Sequence, residues 1–190
     1  PTNRLADAYM PDNNSTCNTT FNFDHKLYQY SDWKNYEIKY RPDVWWNNYD
    51  GMKVGLNLTG GYLRHHHLFD ASVWFNTGAL QKDSIPNAND YDYYSYRINY
   101  NTNLDKIALN TRINTRSQFL AGLYTNKFSI IKSDSKGNNK LEVDFLSFYR
   151  TNNNYLINSV WDLEKKNNRI DVNLEHKYNY SYGKGTINLM

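Results

Sequence analysis

The chain has 190 residues, 39% hydrophobic and 16% aromatic with 18 Tyr, and sets Lys plus Arg 22 against Asp plus Glu 19. The resulting +3 is well mixed along the chain and leaves no footprint for nucleic acid, while a single cysteine, Cys17, excludes an internal disulfide framework and a cysteine-rich zinc site. No run approaches the length of an apolar membrane helix, but that leaves open strands that cross a bilayer, which are only half apolar.

Pro1–Phe23 has no hydrophobic period, two prolines and many Asn, Ser and Thr, and reads as a linker or extended loop. Asn14-Ser15-Thr16 and Asn18-Thr19-Thr20 match a glycosylation acceptor pattern, as a stretch of this composition would by chance. Strands and loops are expected over 24–190. The first strand, Tyr36–Arg41, sets Tyr36, Ile38 and Tyr40 against Glu37, Lys39 and Arg41, and Pro42 is expected to interrupt its pairing. Trp45, Trp46 and Tyr49 form an aromatic group ahead of a hairpin. They suit an interfacial girdle, with Tyr62 at the far end of the next strand, or a core pair in a soluble sheet.

From Met52 the alternation is clean. Met52, Val54, Leu56, Leu58, Gly60 and Tyr62 share one face, and Lys53, Gly55, Asn57, Thr59 and Gly61 the other. After the polar break Arg64–His67, Phe69, Ala71, Val73, Phe75 and Ala79 oppose Asp70, Ser72, Asn76 and Gly78. These strands exceed the usual length in soluble sheets and reach the roughly ten residues that a tilted strand needs to cross a bilayer. Val54, Leu56, Leu58, Val73 and Phe75 are then the lipid-facing candidates.

Further along, Lys82–Asp90 reads as a loop, Tyr91–Asn101 as a strand and Asn101–Asp105 as a turn. Lys106–Arg116 has the most basic face. Ser117–Ile131 follows with an apolar face that switches near Phe119–Gly122, which suggests a bulge. Lys132–Lys140 is a polar loop, and strands are expected at Leu141–Tyr149, Tyr155–Leu163, Ile170–Tyr182 and Thr186–Met190. The pattern is all-β, an antiparallel up-and-down transmembrane β-barrel or a part of a larger one. Its lumen-facing candidates are Lys53, Asn57, Arg97, Lys106, Arg112, Arg116, Glu142 and Asp144. The cations among them either favour anions or are balanced by the acids, with Asp171, across the interior.

His65-His66-His67 beside Asp70 invites a metal reading, but the triplet sits at a hairpin bend where polar residues are expected anyway. Pairs such as Glu142 and Asp144, or Asp171 and Glu175, are more simply the wet face of a strand than a glycosidase dyad. No nucleophile elbow or phosphate loop is present, so neither a catalytic motif nor a cofactor is expected in this chain.

Tyr40–Leu56 (YRPDVWWNNYDGMKVGL) and Phe69–Gly78 (FDASVWFNTG) together resemble the outer-membrane barrel that follows the catalytic region in aminopeptidase-N-type zinc metallopeptidases of the Bacteroidota. The N-x-Y-D-G-x-K-x-G-L run is also similar to the first barrel strands of surface-antigen proteins related to BamA. The resemblance implies location in the outer membrane of a Gram-negative bacterium, with lipid and other subunits of a membrane complex as partners. It implies no catalytic residue here, since none of the five histidines stands in the H-E-x-x-H spacing of that peptidase family. The start and end of the chain read as those of a piece of a longer polypeptide. The rival expectation is a soluble secreted β-sandwich that binds glycans on Trp45, Trp46, Trp74 and Trp161.

Overall fold

The computed structural model describes residues 18–25, 35–62, 66–82, 91–104, 107–152, 155, 166–180 and 183–189. These form a single ten-stranded sheet, and no helix occurs among the described residues. Its strands are β1 (Thr19–Phe23), β2 (Tyr36–Asn47), β3 (Gly51–Tyr62), β4 (His66–Asn76), β5 (Tyr94–Asn103), β6 (Thr111–Leu120), β7 (Leu123–Ser133), β8 (Asn139–Arg150), β9 (Lys166–Tyr180) and β10 (Gly183–Leu189). Spatial order follows chain order, and every neighbouring pair is antiparallel except β1–β2. The described sheet is open, because β1 and β10 are its two edges and do not pair with each other. Of the two forms expected, a complete barrel or a part of a larger one, closure is not seen among the described residues.

Strand β2 runs straight through Pro42, contrary to the expected interruption. Tyr40 turns its carbonyl toward β1, accepting from Asp24 N at 2.9 Å, and Pro42, two residues on, turns the same edge that way. Pairing with β1 ends at Phe23 opposite Tyr40, so the donor that Pro42 lacks would have faced an open edge. Pairing with β3 continues past it, with Pro42 opposite Leu56.

The expected bulge near Phe119–Gly122 is a hairpin turn. Strand β6 ends at Leu120 opposite Leu123, the first residue of β7, and the two residues between have positive φ, Ala121 at 51° and Gly122 at 68°. Two consecutive left-handed residues make the tight turn whose twist matches the flanking strands. A register shift does occur elsewhere, between Gly60 and Tyr62. Strand β6 begins at Thr111 rather than Lys106, and Ile107 and Leu109 lie in the preceding turn. The stretch Thr19–Phe23, inside the expected linker, is β1. The expected strand Tyr155–Leu163 lies outside the described residues apart from Tyr155, which is in a turn.

Alternation gives the sheet two unlike faces. On one, the cross-strand rows read Val44, Val54, Phe75 and Tyr94, then Pro42, Leu56, Val73 and Tyr96, and at the other side of the sheet Phe128, Phe145 and Ile170, then Ile130, Val143 and Val172. Val54, Leu56, Val73, Ile98, Phe128, Ile130, Phe145 and Val172 are all exposed there, and Phe75 is 72% accessible. The other face carries Lys53, Asn57, Ser72, Asn76, Ser95 and Ser129, all buried. Among the described residues only Tyr62, Trp74 and Phe119 are buried hydrophobics. This arrangement is the reverse of a soluble sandwich, where the apolar face is the one removed from water.

Candidate functional site

The polar face has two regions, and the first is a closed network where β3, β4 and β5 meet. Asn47 and Gly51 frame the turn that starts it: the Asn47 side-chain oxygen accepts from Tyr49 N at 2.9 Å and Asp50 N at 2.6 Å, and Gly51 follows with φ 69°. That turn aims the Asp50 carboxylate back onto Lys53, whose Nζ lies 2.5 Å from Asp50 Oδ2 with both side chains 0% exposed. Lys53 also donates to Ser95 Oγ at 2.9 Å and sits 4.6 Å from the centroid of the Trp45 ring. Trp45 in turn packs edge-on against Trp74 at 5.7 Å. Asn76 joins Ser95 at 3.0 Å and donates to the Asp92 carbonyl.

Tyr155, from the β8–β9 connection, completes the network. Its hydroxyl donates to Asp50 Oδ1 at 2.5 Å and accepts from Asp92 N at 3.0 Å. Burial, then the hydrogen bond to the Asp50 carboxylate, pushes this hydroxyl above the ordinary tyrosine range. Burial also raises the Asp92 carboxyl, reinforced by the Asp50 charge and opposed by Tyr155, and Asp92 Oδ2 is buried with no hydrogen-bond partner. Lys53, Asp50, Ser95, Asn76 and the Tyr155 hydroxyl are all bonded to other protein groups. The arrangement is an internal brace between the sheet and a long connection.

The second region is a groove of about 370 Å³ over β4–β8, lined by Asp70, Asn99, Asn114, Arg116, Lys127 and Glu142 among others. Its carboxylates are engaged: Asp70 accepts from Asn57 at 2.8 Å, and Glu142 pairs with Lys140 at 2.7 Å. Beside it Asp144 pairs with Lys127 at 2.6 Å. These pairs relieve a row in which Asp144 stands directly opposite Asp171, itself bridged to Arg169 at 2.8 Å.

Of the sequence-derived lumen candidates, Lys53 and Asn57 are buried on the polar face. Arg97, Arg112, Arg116, Glu142 and Asp144 lie on that face, of which Arg116 and Glu142 line the groove, and Lys106 is outside the described residues. The lipid-facing candidates Val54, Leu56, Val73 and Phe75 are exposed on the apolar face, which Leu58 shares half-buried. Trp46 lies on that face as well and donates to the Leu80 carbonyl at 2.8 Å, Tyr49 packs on Tyr155 at 5.5 Å, and Tyr62 is buried. His67 contacts the Tyr100 hydroxyl at 2.7 Å through Nδ1. Among the described residues no three His, Cys, Asp or Glu side chains could hold a metal ion, and His65 is not among them.

Sequence reasoning missed Asp50, Asn76, Asp92, Ser95 and Tyr155. Asp50 alone left a signal, an acid three residues before an inward lysine in an N-x-x-D-G turn. No family model, curated protein or solved structure matches the chain.

Proposed function

We propose that this chain is a non-catalytic region of an outer-membrane β-barrel, which anchors or forms part of a larger surface protein or membrane assembly. The observation that carries the reading is the exchange of faces, with aliphatic and aromatic rows exposed and lysine, asparagine and serine buried. In water that arrangement leaves the larger apolar rows unburied. Against lipid it buries them and gives the polar face a wet interior.

Strand length supports it. Strands β2 to β8 have 10 to 12 residues, which at about 3.4 Å per residue and a tilt near 40° rise about 25–30 Å, the height of a barrel's apolar band. The connections support it too. Among the hairpin connections of β2 to β10, one end of the sheet holds the long 77–93 and 151–165 beside two short turns, whereas at the other none is longer than 104–110. Short turns at one end and long loops at the other are the habit of outer-membrane barrels.

An open edge within lipid leaves backbone groups unpaired at several kcal/mol each, so the reading requires further strands to close the wall, from the same polypeptide or another subunit. The resemblance at Tyr40–Gly78 suggests a zinc metallopeptidase as the attached protein. The glycan-binding alternative gains nothing specific, since Trp74 is buried and Trp45 covers Lys53.

The test is partitioning of the full-length protein. Envelope membranes are washed at high pH and high salt, and the retained protein is run on a gel with and without boiling. Retention with heat-modifiable migration is expected, and release of folded protein into the wash overturns the reading.

A further inference from the structure

We propose that the polar face holds a binding site for a small oxyanion, a carboxylate- or sulfate-bearing solute, centred on Arg116 and Arg97. The inference goes beyond the membrane reading and does not depend on it.

The starting point is a local imbalance of charge. Strands β5, β6 and β7 carry no aspartate or glutamate, yet Arg97, Arg112, Arg116 and Lys127 all stand at polar-face positions of these strands. The register fixes their neighbours. Arg116 stands opposite Asn99 on β5 and Lys127 on β7. Along its own strand the next polar-face positions are Asn114 and Gln118, and Arg97, opposite Gln118, lies on the diagonal. Neighbouring strands lie about 4.8 Å apart and alternate residues about 6.8 Å apart, so the two arginine Cα atoms stand about 8 Å from each other. At that separation two arginine side chains are long enough to reach one small anion between them.

None of the nearby acids is ion-paired to Arg116 among the described residues: Asp144 pairs with Lys127 and Glu142 with Lys140, and Asp70, which keeps its charge, accepts from Asn57. Arg116 has no ion pair within 4.0 Å among the described residues, and it lines the groove of about 370 Å³. One donor beside Arg116 is buried without a hydrogen-bond partner, Arg97 Nε. A buried guanidinium N–H without an acceptor costs free energy that an incoming oxyanion returns. The flanking amides of Asn99 and Gln118 add neutral donors, so the site accepts a negative group without needing a metal.

The test uses the full-length protein, in detergent micelles if the membrane wash retains it and in plain buffer if the wash releases it, with folding confirmed by its β-sheet circular dichroism. Sodium glucuronate, sodium sulfate and neutral glucose are titrated separately by calorimetry. Glucuronate and sulfate are expected to bind and glucose not to. Glucuronate binding tighter than sulfate assigns the site to a sugar acid, and the reverse assigns it to an inorganic oxyanion. Arg116→Gln is expected to weaken binding at least about tenfold, the loss of one charge-assisted bidentate contact. Arg116→Lys, which keeps the charge, is expected to fall between, and Lys132→Gln, on the other face, to change nothing. Equal binding of glucose and glucuronate overturns the proposal, as does unchanged affinity in both Arg116 variants. A protein that fails the membrane wash yet binds glucuronate would sink the membrane reading and keep this site.

Discussion

The Tyr155 hydroxyl donates to Asp50 Oδ1 at 2.5 Å across 105 residues of chain, and this bond ties the β8–β9 connection to the start of β3. Asp50 already holds Lys53 through its other oxygen, so one buried carboxylate carries a cation and a phenol together. Tyr155→Phe removes one hydrogen bond from a buried charge and is expected to cost about 1–3 kcal/mol. Lys53→Met leaves that carboxylate without its cation and is expected to cost about 3–5 kcal/mol. The double variant Asp50→Asn with Lys53→Met is expected to be less destabilised than Lys53→Met alone. Urea unfolding of the refolded protein measures these three together with Asp50→Asn alone, and a double variant as unstable as the sum of its two singles would contradict the brace.

Asp92 predicts a pH dependence of a definite sign. Its carboxyl ionises above the ordinary 3.8 because it is buried and close to Asp50. The folded state therefore holds this proton more tightly than the unfolded state. The contribution to stability is complete below 3.8 and is lost as pH rises through the raised value. Asp92→Asn removes the ionisation. Its gain in unfolding midpoint over the parent is expected to grow from pH 3.5 upward and level off once the parent's carboxyl is ionised. A gain independent of pH would show that Asp92 ionises as an ordinary surface acid.

Asp134 has the opposite sign. Loss of solvent contact works against its ionised form, but hydrogen bonds from the Asn139 side chain and from the backbone of Asn139, Asn138 and Gly137 outweigh it and lower the carboxyl below 3.8. Its support for the β7–β8 turn is present above 3.8 and is lost as pH falls through the lowered value. Asp134→Ala is expected to remove that acid-side loss, read as a flatter midpoint between pH 2 and 4.

The two faces of β3 and β4 were legible because strand geometry converts a period of two directly into sides of a sheet, from Lys53 and Asn57 to Val54 and Phe75. The brace was not legible. Ser95 and Tyr155 lie 42 and 105 residues from their partners, and no local pattern encodes which loop returns to which strand. Pro42 misled for a related reason, since a missing donor matters only where a neighbour needs it and the end of β1 was not readable.

The exposed rows give the membrane reading a residue-level test. Leu56 lies between Pro42 and Val73 in the middle of the apolar face. Leu56→Arg is expected to cost about 2–4 kcal/mol of folding free energy in lipid vesicles, as a charge near the bilayer midplane does. Asn173→Arg, on the polar face opposite Glu142, is expected to leave folding in vesicles unchanged. If the two variants behave alike, the apolar face does not meet lipid.

The β6–β7 hairpin was misread because apolar residues run through it: Phe119, Leu120, Ala121, Gly122, Leu123 and Tyr124 contain no polar break, and a change of face looks the same whether a strand bulges or turns back. The turn requires two left-handed residues, and Gly122 adopts its φ of 68° freely whereas Ala121 is held at 51° against its side chain's preference. Asparagine tolerates that conformation better, and Asn-Gly is the favoured pair for such a turn. Ala121→Asn is therefore expected to stabilise the protein by about 0.5–1 kcal/mol. Gly122→Ala is expected to destabilise it by more, because a Cβ there would stand 2.6 Å from the Asn152 carbonyl oxygen as well as adopting the disfavoured φ. Chemical unfolding of the two variants beside the parent checks both signs, and a destabilised Ala121→Asn would show that the flanking strands, not the turn, set the register.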